Sequence, residues 1–508
     1  MSIVDKNARH VNHAAIHFSK SYPMPKSRPM RIFVILRIGT AEKGATLACA
    51  LVLLTFPLGS YGHAFVQPYS LPVPFSMYST AAGVALALSF AAIAVFARPR
   101  PDWTPHTAVT TAAVLMSEPD DIGLSQLLST SLLLLCIASG LVGTKDSSRN
   151  INMTMFWIVL VLLVPYVVSV FGDFYRSINP WRGILRIVEF GLNRRFEGYF
   201  QYPRGLGYFP ALALYIAFIC IELFGSLRPF GLSIYLLAYT VIIVGGAILF
   251  GRELWLSHAE FFGVQFSLLG RIAPLRRLSR SRPDDGAVPA SLSLVLVVLF
   301  MLSSTAFDGL HATRNWVLVY WTYIYGPVAG VTPPADKYAA AALFYQVWQW
   351  VTLIASPFLY LGVFAFFVWL SKMLGGARGG GSSYLMCTFA RSLLPIALVY
   401  HVSHYYTLVL WQLPLVVKLL SDPFGLGWNL FGTSNWDVKP WVVDVGTIWH
   451  TQVFLIVGGH IWSVVLSHLE AIRQFGKPGA ATLSQIPMLV LMVALTTFGL
   501  WILSLPLA

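Results

Sequence analysis

The stretch 288–308, VPASLSLVLVVLFMLSSTAFD, decides the fold class. From Val288 to Ala306 it carries no charged side chain, and it is long enough to cross a hydrocarbon layer of about 30 Å as one helix. Asp308 stands where the apolar run ends. Similar stretches occur at 44–62, 78–98, 124–143, 154–172, 207–225, 230–251, 340–370, 387–420, 444–470 and 484–506, so about eleven spans are expected. Lipid offers the backbone no hydrogen bonds, and continuous apolar runs of this length satisfy their own only as helices. The expected fold is an all-α polytopic membrane protein of about 10–11 transmembrane helices.

Composition agrees. Of 508 residues, 56% are hydrophobic and 11% charged, whereas a soluble domain carries about 25% charged residues. The formal net charge of +13 would suggest a nucleic-acid partner in a soluble protein, but here the placement of Lys and Arg matters more than their sum. With a cytoplasmic N-terminus, alternation puts 98–123, 173–206, 252–287, 371–386 and 471–483 on the same side as the basic leader. Those segments hold Arg176, Arg182, Arg186, Arg194, Arg195, Arg252, Arg271, Arg276, Arg277 and Arg473 among others, whereas the opposite loops hold only Lys145, Arg149, Arg228, Arg314, Lys337 and Lys439. This is the bias of positive-inside insertion, so the lipid bilayer is the expected neighbour and no nucleic acid is. Cys49, Cys136, Cys220 and Cys387 form no CxxC pair and read as inert buried thiols.

The chain divides into a basic cytoplasmic leader (1–43), a signal sequence or first transmembrane helix (44–62), and a single helical membrane domain (63–508). The run ending SYG before HAF has the small residues of a cleavage site, and cleavage would leave the amine and imidazole of His63 as a chelating pair. Within the membrane domain, 173–206 and 252–287 read as interfacial segments. RIAPLRRLSRSRPDD at 271–285 suits a basic loop against anionic lipid, and GGARGGG at 375–381 a linker.

Ionisable groups inside apolar spans are expensive and raise a functional hypothesis by default. Here they gather late in the chain: Asp308 with His311 one turn on, His401 and His404 in YHVSHYY, then His450, His460, His468 and Glu470. Antiparallel packing of the ninth and tenth spans would let His401, His404, His450 and His460 converge near Asp308. Imidazoles and a carboxylate are the ligand set of a divalent metal ion, although no HExxH fixes the geometry. His311 and His468 are expected as hydrogen-bonded contacts. Glu222, deeper in its span, has no cationic partner in sequence and suits either a proton-coupled or a structural role. The aromatics Trp316, Tyr320, Trp321, Tyr323, Tyr325, Trp348 and Trp350 read as a membrane-interface belt or as the mouth of a site for a lipophilic ligand.

Taken together, GHAFVQPYSLPVPF (62–75), FGDFYRSINPWRG (171–183), HAEFFGVQFSLLGRIAPL (258–275), SSTAFDGL (303–310), SHYYTLVLWQ (403–412), SDPFGLGWNLFG (421–432), VGGHIW (457–462) and LSHLEA (466–471) resemble the membrane-bound fenitrothion hydrolase family. The likeness, to the family's large subunit, runs from His63 to the last span. It implies a hydrolase of organophosphorus triesters, which cleaves the P–O–aryl bond to a dialkyl (thio)phosphate and a nitrophenol. It also implies a smaller membrane subunit as partner in a heterodimer, and a multi-pass location in a bacterial inner membrane. Asp308, His404, His460 and His468 fall on the family's motif elements, whereas His401 and His450 do not. The expected site is a metal held by His404, His460 and one of Asp308 or His450, with Asp308 otherwise acting as base and His401 as a further ligand. The main alternative is a transporter or metal permease that uses the same intramembrane His and Asp; a third is a non-catalytic subunit that positions its partner.

Overall fold

The computed structural model describes residues 74–96, 123–203, 205–225, 227–275, 291–326, 338–376, 381–439, 441–476 and 478–506. The leader 1–43, the stretch 44–62, His63 and the 276–285 part of the basic loop lie outside these residues. Among the described residues all regular structure is helical, and the chain is an all-α polytopic membrane protein. In chain order the helices are α1 (Phe75–Phe96), α2 (Leu124–Val142), α3 (Ile151–Phe171), α4 (Tyr175–Ile178), α5 (Pro180–Leu192), α6 (Phe209–Phe224), α7 (Pro229–Phe250), α8 (Arg252–His258) and α9 (Phe261–Ile272). They continue with α10 (Leu292–His311), α11 (Arg314–Val319, running on through Tyr320–Tyr325), α12 (Tyr338–Gly375), α13 (Ser382–Gln412), α14 (Leu415–Ser421), α15 (Val445–Phe475) and α16 (Pro478–Ser504).

Nine of these described helices, α1, α2, α3, α7, α10, α12, α13, α15 and α16, are long and apolar enough to cross a membrane. Helix α6 has 16 residues, yet it runs beside α10 over nearly its whole length. The Tyr208 amide bonds Ser293 Oγ at one end, and the Phe224 ring meets Phe307 and His311 at the other. The expected span at 387–420 divides, with α13 ending before Pro414 and α14 starting after it. A proline amide cannot continue the helical ladder.

Most of the apolar stretch 288–308 lies in α10, the centre of the bundle. Every residue from Ser293 to Asp308 is buried, with α6, α12, α13 and α16 around it. Burial in lipid brings little hydrophobic gain, so close packing and polar contacts hold such helices together. Ser356 of α12 donates to Ser303 of α10 at 2.8 Å, and Asn152 of α3 donates to the Pro229 carbonyl at 2.9 Å where α2, α3 and α7 meet. A side chain on Gly140 would collide with Asn152, Ser233 and the Pro229 carbonyl, so only glycine permits that approach.

Most of the two segments expected at the interface folds into the bundle instead of lying flat on it. After α7, helix α8 turns back along it, and Trp255 fills the space that the missing side chain of Gly246 leaves. The chain turns at Glu260, and α9 runs out again until Gly270 touches Asp173. Residues 173–192 make a second such excursion. Trp181 reaches Thr240 in the middle of α7 with its indole N–H (3.0 Å), and Arg186 then bonds Gln126 in the first turn of α2. The two re-entrant hairpins are clasped at the arginine-rich end of the bundle. Arg182 and Arg252 both bond Glu253 (2.6 and 2.9 Å), and Arg252 also pairs with Glu189. Burial alone would raise the Glu253 carboxyl, but the guanidiniums of Arg182 and Arg252 overcome it and hold it down to about 2.

Candidate functional site

Helix α10 delivers Asp308 in its last turn, and α13 delivers the residues that meet it. The Asp308 side chain is 5% exposed, and its Oδ2 lies 2.9 Å from Nε2 of His404. The same carboxylate oxygen accepts a hydrogen bond from the Tyr405 hydroxyl. On the other side, His311 Nδ1 donates to the Asp308 main-chain carbonyl at 2.7 Å and stands 3.7 Å from Oδ1, near enough to feel its charge but not to bond it.

This contact fixes one proton of His404. A carboxylate can only accept, so Nε2 carries a proton, and in the neutral form of the ring Nδ1 is the nitrogen with the free lone pair. The His404 side chain is 30% exposed: the buried acid holds one edge of the ring, and the rest opens away from the core. An Asp–His pair of this kind orients the imidazole for proton abstraction and stabilises the imidazolium that forms.

The other histidines stand elsewhere. His401 is one helical turn before His404, but a step of three residues rotates the side chain by about 60°. Its ring meets Tyr166 of α3 edge-on at 5.5 Å and Tyr405 at 5.2 Å. Helices α13 and α15 are antiparallel neighbours, as expected, but their register separates the pair meant to converge. Gln452 bonds the Ser403 carbonyl, Gly459 packs on Val399, and Ser463 bonds the Ser392 carbonyl. His460 therefore lies opposite residues near 397, about 10 Å along the axis from His404. It is fully buried, gives its Nδ1 proton to the Ile456 carbonyl at 2.8 Å and packs beside Tyr400. His450 is exposed on α15. His468 meets the Phe90 ring edge-on. Among the described residues, no three His, Cys, Asp or Glu side chains form a group that could hold a metal ion. Of the set His401, His404, His450, His460 and Asp308, the fold brings Asp308 and His404 together.

Aromatic side chains wall the site. Phe307 stacks on His311 and meets Trp316 edge-on, while Trp316 stacks on Trp348 at 4.3 Å. Tyr320 meets Tyr345 and Trp348, so part of the expected outer belt is a packed cluster next to Asp308; Tyr323 remains 72% exposed. Beyond the end of α13, about 13 Å from His404, an apolar groove of about 510 Å³ opens between Leu413, Pro414, Val417, Trp436 and Trp441. Tyr405 was legible only as an aromatic neighbour of two histidines; its bond to Asp308 depends on how α10 and α13 pack.

No family model, no curated protein and no solved structure matches the chain.

Proposed function

We propose that the chain hydrolyses lipophilic organophosphorus triesters of the fenitrothion type within the membrane, with His404 as general base. The observation that carries this reading is the buried carboxylate of Asp308 bonded to the half-open imidazole of His404, with Tyr405 as a second donor on the same oxygen. The resemblance of the motifs at 303–310 and 403–412 to a family of such hydrolases supports the choice of substrate. A smaller membrane subunit as partner and a bacterial inner membrane as location belong to the same proposal.

In this reaction His404 Nδ1 takes a proton from water as the water oxygen attacks phosphorus. The new P–O bond forms and the P–O–aryl bond breaks, and nitrophenolate leaves with the electron pair. The leaving group is already a stable anion, so no strong general acid is needed. Asp308 holds Nε2–H and stabilises the charge on the ring until His404 returns its proton to solvent. The substrate partitions into the bilayer, and the groove at Leu413–Val417 together with the aromatic cluster offers an apolar approach.

The test is nitrophenol release from membranes that contain the full chain with its smaller subunit, compared with membranes that carry His404→Ala. Turnover that disappears in the variant supports the proposal. Equal turnover in both, or none in either, refutes it.

A further inference from the structure

The two re-entrant hairpins meet at their tips, deep in the bundle and away from the Asp308 site. Asn179 and Glu260 are the tip residues, bonded to each other at 2.8 Å through Asn179 Nδ2 and Glu260 Oε2. Each caps the helix that leads back out. Asn179 Oδ1 accepts from the amides of Trp181 and Arg182 (3.0 Å each), and the Glu260 carboxylate accepts from those of Phe262 (3.1 Å) and Gly263 (2.8 Å). The α9 N-terminus thus ends on the carboxylate itself, and the α5 N-terminus ends on Asn179, which bonds that carboxylate. Glu260 Oε1 also accepts from the Tyr239 hydroxyl at 2.9 Å. Tyr239 occupies the middle of α7, and Phe261 stacks on Tyr215 in the middle of α6, so Glu260 sits near half depth.

Acidic and phenolic groups extend from Glu260 in both directions. Toward the arginine-rich end, the Tyr175 hydroxyl feels the charges of Glu260 and Asp173. Asp173 Oδ1 accepts from the Arg176 amide at 3.4 Å, and Asp173 packs on Gly270 of α9. Toward the opposite end, Tyr235 lies one turn before Tyr239 on α7 with its ring 6.1 Å from that of Tyr239, within electrostatic reach of Glu260 and of Glu222, which lies close to the far end of α6. Tyr175 is 1% exposed. The hydroxyl oxygens of Tyr175 and Tyr235 are shielded, and neither has a hydrogen-bonding partner among the described residues. Buried polar groups in folded proteins are satisfied by protein or by ordered water, so these two hydroxyls mark where water would join the row. A core that needed only packing would carry phenylalanine at both positions.

We propose that the row Asp173, Tyr175, Glu260, Tyr239, Tyr235 and Glu222 conducts protons across the bundle, with Glu260 as its central acceptor. A proton enters from the arginine-rich end at Asp173. Each tyrosine hydroxyl passes its own proton to the acceptor ahead and takes one from the donor behind, so one proton moves through while every tyrosine ends neutral. Glu260 and Glu222 hold the proton between hops, and it leaves near the end of α6. No bond other than O–H is made or broken, and no co-reactant is required. The path shares no residue with the Asp308–His404 pair and stands independently of the proposed hydrolysis.

The test uses the purified full chain in proteoliposomes with an entrapped pH dye, a potassium gradient and valinomycin to set the potential. Wild type is expected to move protons well above protein-free vesicles, and Glu260→Gln to lower the flux by at least about tenfold. Glu260→Gln places an amide against the donors of Gly263 and Asn179 and can disturb the hairpin tips, so Tyr235→Phe and Tyr175→Phe are measured beside it. These two remove only an oxygen without a protein partner, and each is expected to cut the flux with unchanged thermal unfolding. Asp308→Asn is expected to conduct like wild type. Wild-type flux no greater than that of empty vesicles, or full flux in both tyrosine variants, overturns the path.

Discussion

Asp308→Asn is the sharpest test of the dyad, because it keeps the size of the side chain and removes its charge. In wild type the carboxylate holds Nε2–H of His404 at 2.9 Å and faces a positive ring once the proton has been taken. Unit charges about 4 Å apart attract by about 4 kcal/mol at an effective dielectric near 20. The His404 side chain is 30% exposed, so solvent screens part of this, and half of it leaves about 2 kcal/mol, roughly 30-fold in rate. The amide has a second effect. Tyr405 and His404 bond the same oxygen, so when the amide NH2 takes that position it faces His404 Nε2 and favours the tautomer whose free lone pair points at the new amide instead of at substrate. That loss of general base catalysis carries the expected fall in kcat toward about 1000-fold. Asp308 does not touch substrate in this scheme, so KM should stay within about threefold. The assay is initial-rate nitrophenol release from membranes with matched amounts of folded protein, checked by fluorescence-detected gel filtration. A variant with wild-type kcat refutes the dyad, and so does one whose loss lies wholly in KM or in the yield of folded protein.

Four further outcomes follow from the same geometry. Tyr405→Phe removes one hydrogen bond to a charged group, worth about 1.5–3 kcal/mol; kcat should fall by roughly tenfold with KM unchanged, as read in the same assay. His460→Ala should keep kcat within about threefold and lower the thermal unfolding midpoint, because His460 is buried beside Tyr400 and away from His404; a catalytic loss in correctly folded protein would return His460 to the site. A chelator should leave nitrophenol release unchanged, since the described residues bring together only two donors at the site; loss that added zinc or manganese restores would mean a metal shared with the partner subunit. The fourth concerns acid. The folded carboxyl of Glu253 is held down to about 2, below its ordinary value of 4.5, so its stabilising effect is complete above about pH 4.5 and is lost as pH falls toward 2. Unfolding midpoints of wild type and Glu253→Gln in detergent should differ by a constant amount above that window and converge inside it; a difference that did not change with pH would remove Glu253 from the clasp.

The bundle was legible in the sequence because lipid turns one requirement, satisfied backbone hydrogen bonds, into long apolar runs. Residues 288–308 announced a membrane-spanning helix, and α10 is that helix; its burial at the centre of the bundle was not announced. The pairing of Asp308 with His404 was half legible: both are costly inside a span, which marked them, but so were His401 and His460. What chose among them was helix phase and register. A step of three residues turns His401 toward Tyr166, and the contacts Gln452–Ser403 and Gly459–Val399 slide His460 about two turns from His404. Neither quantity is written in one helix, since each is a property of a packed pair.

The re-entrant hairpins show the opposite case, where local signals were present and hydropathy pointed elsewhere. Asn179 followed by Pro180 is a helix start with a capping side chain and a proline at the first position, whereas Glu260 caps α9 without such a local signal. Both lie in segments whose arginines suggested the headgroup layer. The arginines do stay at that end of the bundle, where Arg182 and Arg252 hold Glu253, while the caps go deep. A helix N-terminus carried into a membrane protein core must find partners for its free amides. Asn179 and Glu260 supply them from within the chain, and a carboxylate kept at that depth has hydrogen-bond donors on both oxygens and phenols on either side. Four donors, the amides of Phe262 and Gly263, Asn179 Nδ2 and the Tyr239 hydroxyl, call for both oxygens of a carboxylate at the tip, and an acid there can also carry a proton. Capping therefore accounts for the glutamate, and the feature it does not account for is the pair of shielded hydroxyls on Tyr175 and Tyr235, which no described residue bonds.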